Sequence, residues 1–476
     1  MKIKRVVFLV IVSVFVAGSI NVNAASTITG NLPAKEPWSI EVVDSTPNAF
    51  PGTHVSIAHH PVSGRAYISY YDSEYDELVM AREVAPGTGD CYGNDSWDCT
   101  IISYGGDPGR YSSIDVDYVV PGGPIMPYTK VGISYYSASE KALMYAETVN
   151  PAGGWTEWTI QEVDDSSNAN NVRGTYSSLK FNSDHKPVIA YHYETYDLPG
   201  MGDFGGVKIA SYNSSGTGTG CFGNDASNWD CDYVSSMEDH VDYGSHVSLD
   251  LTNDDTVHIA FYDSYNSKLI WASYWGFGGS CSNSEWDCVT VDNAGDVGQY
   301  VSIHAPKNSS DKLRFAYFDN TTSQGKVKYA VNVTSGGNCT SAAFNCFDVD
   351  EIGDPGGHIG LSLAVDKQGY PIIAYMDASP STSATKLKIA RPALAYGNSA
   401  GNCGEVPPGD LFLYWQCEIL DPGYQDIVNE AAYAAVSVNP AGLAAVAYFE
   451  FDSYNNVGHL KVAQQHFATY LPVLLK

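Results

Sequence analysis

Arginine is scarce in this chain. Beyond the first 24 residues only six remain, and two of them, Arg110 and Arg173, stand where neighbouring repeats begin. Two guanidinium forks suit a carboxylate or a sulfate. Tyr111 and Tyr176 lie close by in sequence, and Tyr193 follows in the run His192-Tyr193-Glu194. Tyrosine rings offer apolar faces on which a sugar can stack. His192 and Tyr193 have the chemistry to pass a proton in an elimination or a hydrolysis. The candidate ligand-binding set is therefore Arg110, Tyr111, Arg173, Tyr176, His192, Tyr193 and Glu194, with His192 and Tyr193 the candidate catalytic pair. The competing assignment is that each arginine neutralises a neighbouring aspartate on an acidic surface.

A second set of oxygen ligands recurs along the chain. Asp72, Asp263, Asp319 and Asp377 each close the same short motif. Carboxylates ringing a channel mouth are hard ligands that suit Ca²⁺. The alternative is that each caps its own turn, since a residue present in nearly every repeat usually does what every repeat needs. No cofactor is required by any motif. There is no H-E-x-x-H, no G-x-S-x-G and no phosphate-cradling G-x-x-x-x-G-K-[ST]. His59-His60 stands alone at a strand end and reads as a turn feature.

These residues sit in a repeated unit. Its first element reads Gly52-Thr53-His54-Val55-Ser56-Ile57 and recurs around Ser113, Ser178, Ser248, Ser302, Ser362 and, degenerately, Ser437. The second reads Ile68-Ser69-Tyr70-Tyr71-Asp72, and the third ends in pairs such as Met80-Ala81 and Trp271-Ala272. The fourth begins with an aromatic, as in Trp97-Asp98-Cys99 and Phe344-Asn345-Cys346. Four short strands repeated seven times predict a seven-bladed β-propeller with four antiparallel strands per blade. One copy of the fourth element, Trp38-Ser39-Ile40-Glu41-Val42-Val43, is displaced to the N-terminus, and the last unit lacks one. Residues 36–46 are expected to complete the last blade and so remove an open sheet edge. The loops leading into each first strand then share a face with the loops between second and third strands. Arg110, Arg173, Tyr176 and His192 are expected on that face, where the repeat departs most from its pattern, including a Gly-rich loop from Leu198 to Gly206.

Ten cysteines fall into five local pairs: Cys91 with Cys99, Cys221 with Cys231, Cys281 with Cys288, Cys339 with Cys346, and Cys403 with Cys417. Each pair lies between the third and fourth elements of one unit. None has metal-finger spacing, so five disulfides within blades are expected, and with them an oxidising compartment. The N-terminus fits that reading. Lys2, Lys4 and Arg5 precede a short apolar run ending near Ala24, the pattern of a cleaved signal peptide over 1–24. The propeller is then expected over 25–466, followed by a short apolar tail over 467–476, and the mature chain carries no transmembrane segment. Removing the leader leaves 22 cations against 54 anions. Such a charge repels phosphate backbones, which argues against nucleic acid as a partner.

The repeat resembles those of bacterial secreted propellers of the sialidase-like class, with repeats of the BNR type. The likeness covers nearly all of the mature chain, but the strict Asp-box Ser-x-Asp-x-Gly-x-x-Trp is absent. The resemblance implies the fold and an extracellular or cell-surface setting; propellers host many unrelated activities. Two functions stay open. One is a non-catalytic module that recognises a glycan or a protein at the cell surface. The other is a polysaccharide lyase or glycoside hydrolase working at the channel mouth.

Overall fold

The computed structural model describes residues 37–123, 126–150, 155–165, 171–198, 202–322, 325–352, 360–377, 385–396, 401–404, 414–423, 433–452 and 457–467. The expected signal peptide, the loop Asp354-Pro355-Gly356-Gly357-His358 and nearly all of the C-terminal tail lie outside them. The described chain forms seven four-stranded antiparallel sheets. The first six blades run Pro51–Tyr104, Pro108–Asp164, Val172–Glu238, Ser245–Asp292, Val297–Glu351 and Leu361–Asp421. The seventh takes three strands from Ala434–Gln465 and its outermost strand from Trp38–Asp44. That strand pairs with Val457–Gln465 from Trp38 opposite Gln465 to Asp44 opposite Leu460, which closes the ring as the displaced repeat element predicts. Among the described residues the only helices are two short 3₁₀ turns, and none is long and apolar enough to cross a membrane.

Apolar packing lies between blades. Seven buried clusters each draw on two neighbouring sheets, such as Val188 and Ile209 of the third blade with Leu249 and Phe261 of the fourth. The aromatic that opens each fourth strand packs into the interface with the preceding blade: Trp97, Trp229, Trp286, Phe344 and Trp415 are all almost fully buried.

The recurrent repeat residues have separate jobs at these interfaces. The leading glycine lies against the preceding blade. Gly174 has φ +101°, and a Cβ there would sit 2.6 Å from the Leu143 Cα, so no side chain fits. Two residues later the chain turns again, with His54, Tyr111, Tyr176, His246 and Tyr300 all at positive φ. This bulges the inner strand and turns one ring per blade toward the axis. The repeat serine comes next, and its hydroxyl accepts the amide of the following blade's inner strand. Ile114 donates to Ser56 at 3.2 Å, Leu179 to Ser113 at 3.0 Å, Leu249 to Ser178 at 2.9 Å, and the series runs on through Ser248, Ser302 and Ser362.

In the seventh blade the position belongs to Ala435, which pairs with Ala447 just before Tyr448 as Ser56 pairs with Ser69 just before Tyr70. The expected assignment to Ser437 is therefore corrected by two residues. Its hydroxyl lies instead 3.0 Å from His59 Nδ1.

Farther out, a polar bond crosses the same interfaces. In five of the seven blades the tyrosine of the second strand donates to an aspartate that ends the preceding blade's outer strand, as Tyr70 does to Asp44 at 2.7 Å, Tyr317 to Asp292 at 2.7 Å and Tyr375 to Asp350 at 2.6 Å. A lysine of the third strand joins at Lys208 with Asp164, Lys328 with Asp292, Lys388 with Asp350 and Lys461 with Asp421. Where the aspartate is replaced by Ser103 or Ser235, the lysine position holds Met144 or Ile270. A buried ammonium survives only with its counter-ion. Burial pushes the Asp292 carboxyl up, but Lys328 and Tyr317 outweigh it and hold the group below the usual carboxylate range.

All five expected disulfides form, each joining the loop after a third strand to the fourth strand of the same blade. They close loops of 7 to 14 residues, so each contributes about 2–3 kcal/mol in the chain-entropy account. The second blade has Trp155 in that region, with Arg82 of the first blade 4.9 Å over its ring.

Removing residues 37–45 is expected to leave Val457–Gln465 as an open edge. Light scattering of the truncated protein should show self-association and a lower unfolding midpoint. Asp292→Ala should cost about 3 kcal/mol in denaturant unfolding, because buried Lys328 is left with only the looser Asp319 contact at 3.8 Å. Adding Lys328→Met to that variant should restore part of the loss.

Candidate functional site

The five rings turned inward by the bulges meet at one mouth of the channel, and Tyr433 of the seventh blade joins them. His54, Tyr111, Tyr176, His246, Tyr300 and Tyr433 come from six blades. Successive centroids lie 4.6 Å apart from Tyr433 to His54, then 4.7, 4.5, 4.6 and 4.3 Å on to Tyr300. Neighbouring planes differ by 45–56°, about one seventh of a turn, so the rings follow the symmetry of the blades. In the sixth blade the position is Gly360, where a Cβ would lie 2.0 Å from the Ala434 amide nitrogen. The collar bounds a cavity of about 470 Å³, whose described lining includes Arg110 and no carboxylate.

The collar's protonation states are set by burial. Burial holds the Tyr111, Tyr176 and Tyr433 hydroxyls above the usual phenol value, so they are donors at neutral pH. His246 is pushed down to about 3 by burial, with His192 adding to the effect, so it is neutral. His54 Nε2 lies 3.1 Å from the Tyr433 hydroxyl, a hydrogen-bonded pair across the ring closure. Arg110 stands at the rim with its side chain 45% exposed and paired with Asp107. Its guanidinium carbon is 5.8 Å from the Tyr71 ring centre.

The seven residues expected to act together divide into two groups. Arg110, Tyr111 and Tyr176 line the collar cavity. Arg173, His192, Tyr193 and Glu194 recede into the third blade. Arg173 is buried, donates to the Val172 and Glu194 carbonyls and to Thr195 Oγ1, and has Asp164 at 3.9 Å. Its guanidinium lies 5.2 Å from the Tyr193 ring centre, and that ring packs edge-on against Tyr233. Glu194 accepts the Tyr196 hydroxyl at 2.6 Å.

His192 is 1% exposed. Its Nε2 donates to the Val241 carbonyl at 2.9 Å, which leaves Nδ1 to accept the Thr175 hydroxyl at 2.9 Å. Burial lowers its pKa to about 4. Both nitrogens are engaged and the ring is covered, so this arrangement fixes the second strand against the fourth blade's leading loop and gives the imidazole no open face. The two arginines accordingly do not share the rim.

The recurrent aspartates serve their own hairpins. Asp72 accepts the Glu74 amide and the Phe50 amide, Asp263 accepts the Asn266 amide, and Asp319 accepts the Thr321 amide. Asp377 lies 3.3 Å from Lys388. Among the described residues no three His, Cys, Asp or Glu side chains converge as a metal cluster. His54 and His246 stand two residues before Ser56 and Ser248 and follow the pattern of the repeat, so they lie outside the candidate set drawn from its departures. Tyr433 was hidden by the two-residue slip of the seventh blade. The signal that unites the collar is the residue two before each inner-strand serine.

No family model matches this chain, and no curated protein matches it. Solved structures resemble it at low identity. AofleA from Arthrobotrys oligospora is 10% identical over 92% of this chain and 94% of that one, with a TM-score of 0.40. The polysaccharide lyase Uly1 is 9% identical over 87% and 89%, with a TM-score of 0.41. The GH93 α-L-arabinofuranosidase of Fusarium graminearum is 10% identical over 90% and 98%, with a TM-score of 0.38. Likenesses this distant do not bear on chemistry, and the sialidase-like class has no family match behind it.

His192 and His246 have folded pKa values below the ordinary histidine value, so both favour the native state in their neutral form. Their contribution is present above about pH 6.5 and is lost as pH falls toward their folded values. The unfolding midpoint should therefore drop between pH 7 and pH 4.5 (carboxylates add to the fall). In His246→Phe the drop should be shallower than in the parent protein, measured by calorimetry across the same buffers.

Proposed function

We propose that this chain is an exported propeller that takes a polysaccharide at its collar mouth. The observation that carries this reading is the collar itself: six aromatic side chains from six blades, one arginine at the rim, and no carboxylate among the described lining residues. Rings held by a strained backbone present fixed apolar faces with hydroxyl or ring nitrogen donors at their edges, the combination that a sugar requires. The strain supports a role beyond packing, since five bulky residues adopt a conformation that costs each about 1 kcal/mol or more. Arg110 favours a glycan that carries an acidic group. The five disulfides fit an oxidising, extracellular setting.

The same lining limits the chemistry open to a bound glycan. Glycoside hydrolysis in its usual form needs two carboxylates flanking the scissile bond, and the described collar supplies none. Elimination on a uronate polysaccharide makes smaller demands. A base removes the proton beside the carboxylate, a cation offsets the charge that develops, and an acid protonates the leaving oxygen. His54, Tyr433 and Arg110 have those chemistries within one cavity, and the 3.1 Å contact between His54 and Tyr433 is the specific observation that favours the lyase reading. The enzymatic alternative thus rests on collar residues and not on His192 and Tyr193.

A panel of acidic and neutral polysaccharides tests both readings, with binding followed by calorimetry and unsaturated products by absorbance. Tyr111→Ala and Tyr176→Ala should each weaken binding by at least about tenfold. Arg173→Ala should lower the unfolding midpoint and leave the affinity of the folded fraction close to that of the parent. If unsaturated products form, His54→Ala should abolish them while binding persists. A protein that binds none of the panel, or whose binding ignores both tyrosines, would overturn the proposal.

A further inference from the structure

The opposite mouth of the same channel has a different chemistry. A cavity of about 550 Å³ opens there, lined by the inner strands two residues beyond the serine belt. Its first arc is charged. Asp115, Lys180 and Asp250 occupy the same register on the second, third and fourth blades, and His304 follows on the fifth. The two carboxylates are already satisfied. Asp115 accepts the amides of Val116 and Phe181, at 3.1 and 2.8 Å. Asp250 accepts the amides of Leu251 and Ala305 at 3.0 and 2.8 Å and the Lys307 ammonium at 2.8 Å.

Lys180 stands between them without a bond. Among the described residues it has no hydrogen bond and no ion pair, although Asp115 and Asp250 keep it charged against the pull of burial. An ammonium has three donors, and here all three are left for whatever fills the cavity.

The opposite arc is mostly apolar, formed by Val365, Val436 and Val438 of the sixth and seventh blades with Ala58 and Ala364 beside them; its polar pair, Ser437 and His59, is engaged with itself at 3.0 Å. A charged donor faces a mostly apolar wall across a space of ligand size. An inorganic oxyanion would leave that wall unused, and a dianion would meet the two flanking carboxylates. A cation would meet Lys180. We propose that this cavity binds a small organic monocarboxylate, its carboxylate on the Lys180 ammonium and its hydrocarbon end against the valines of the sixth and seventh blades. The site is independent of the collar and of what the collar binds.

The test is calorimetric titration of the full exported chain with acetate, butyrate and hexanoate, beside hexanol and sulfate. Saturable one-to-one binding is expected, tightening by about three- to fourfold for each added methylene. Lys180→Met should weaken hexanoate by at least tenfold, and Lys180→Arg should restore most of it. A thermal melt without ligand shows whether each variant is folded; if Lys180→Met is not, Lys180→Gln replaces it. Three results would each overturn the proposal: no saturable binding, hexanol binding as tightly as hexanoate, or binding that ignores the lysine. Sulfate binding without carboxylate binding would mean an adventitious ion only, and would overturn it as well.

Discussion

The inner strand of a propeller blade is a sheet edge turned toward a narrow channel. Its unpaired amides face neither a neighbouring strand nor open water, and a buried amide without an acceptor costs free energy comparable to a lost hydrogen bond. In this protein the acceptor comes from the blade before. Six serines, from Ser56 to Ser362, each take one such amide from the next blade, and Asp115 and Asp250 take a second one farther along. Because each bond crosses from one blade to the next, six of the seven inner strands are satisfied only when the preceding blade is in place; at the remaining junction the position is Ala435. The same condition reaches the ends of the chain. The seventh blade needs the strand Trp38–Asp44, and that strand in turn carries Asp44, the partner of Tyr70 in the first blade.

The outer layers repeat this dependence with larger groups. An aspartate ending one blade's outer strand receives the tyrosine of the next blade, and a lysine where the sequence supplies one. The pattern is economical in charge, since lysine is present only where the aspartate is. The serines at positions 103 and 235 mark two interfaces held by apolar packing without that pair. At the rim the disulfides act within blades and not between them. They therefore stiffen the outer edges of five of the seven sheets and leave ring closure to the packed and hydrogen-bonded interfaces.

The functional reading comes from the same geometry. The bulge that seats each glycine against the preceding blade also turns the residue two positions later toward the axis. A repeated backbone feature thereby gathers five aromatics at one mouth, where Tyr433 joins them, while the straight part of the same strands lines the other mouth with whichever residues each blade carries. The collar is nearly uniform and the far cavity is not. One end offers stacking faces around a rim arginine, and the other a lysine across from valines. Neither depends on the buried Arg173–His192 cluster, whose hydrogen bonds are spent inside the third blade and on the loop leading into the fourth.

Much of the architecture is legible in the chain without coordinates. Seven copies of one unit, with a fourth strand displaced to the start, leave few ways to bury the alternating faces, and cysteines set in local pairs have few partners. These features are carried by neighbours in sequence, so a linear reading finds them. The site is carried by residues about sixty positions apart that meet only at the axis. His54, Tyr111, Tyr176, His246, Tyr300 and Tyr433 look like ordinary repeat residues until closure brings their rings within 4.3–4.7 Å. The departures that drew notice, Arg173 and His192-Tyr193-Glu194, proved to be near neighbours that satisfy one another. The chain by itself determines which side chains are unusual. Only the tertiary structure decides which of them keep a free hydrogen-bonding or stacking surface, because that depends on how much of each group the next blade has already used.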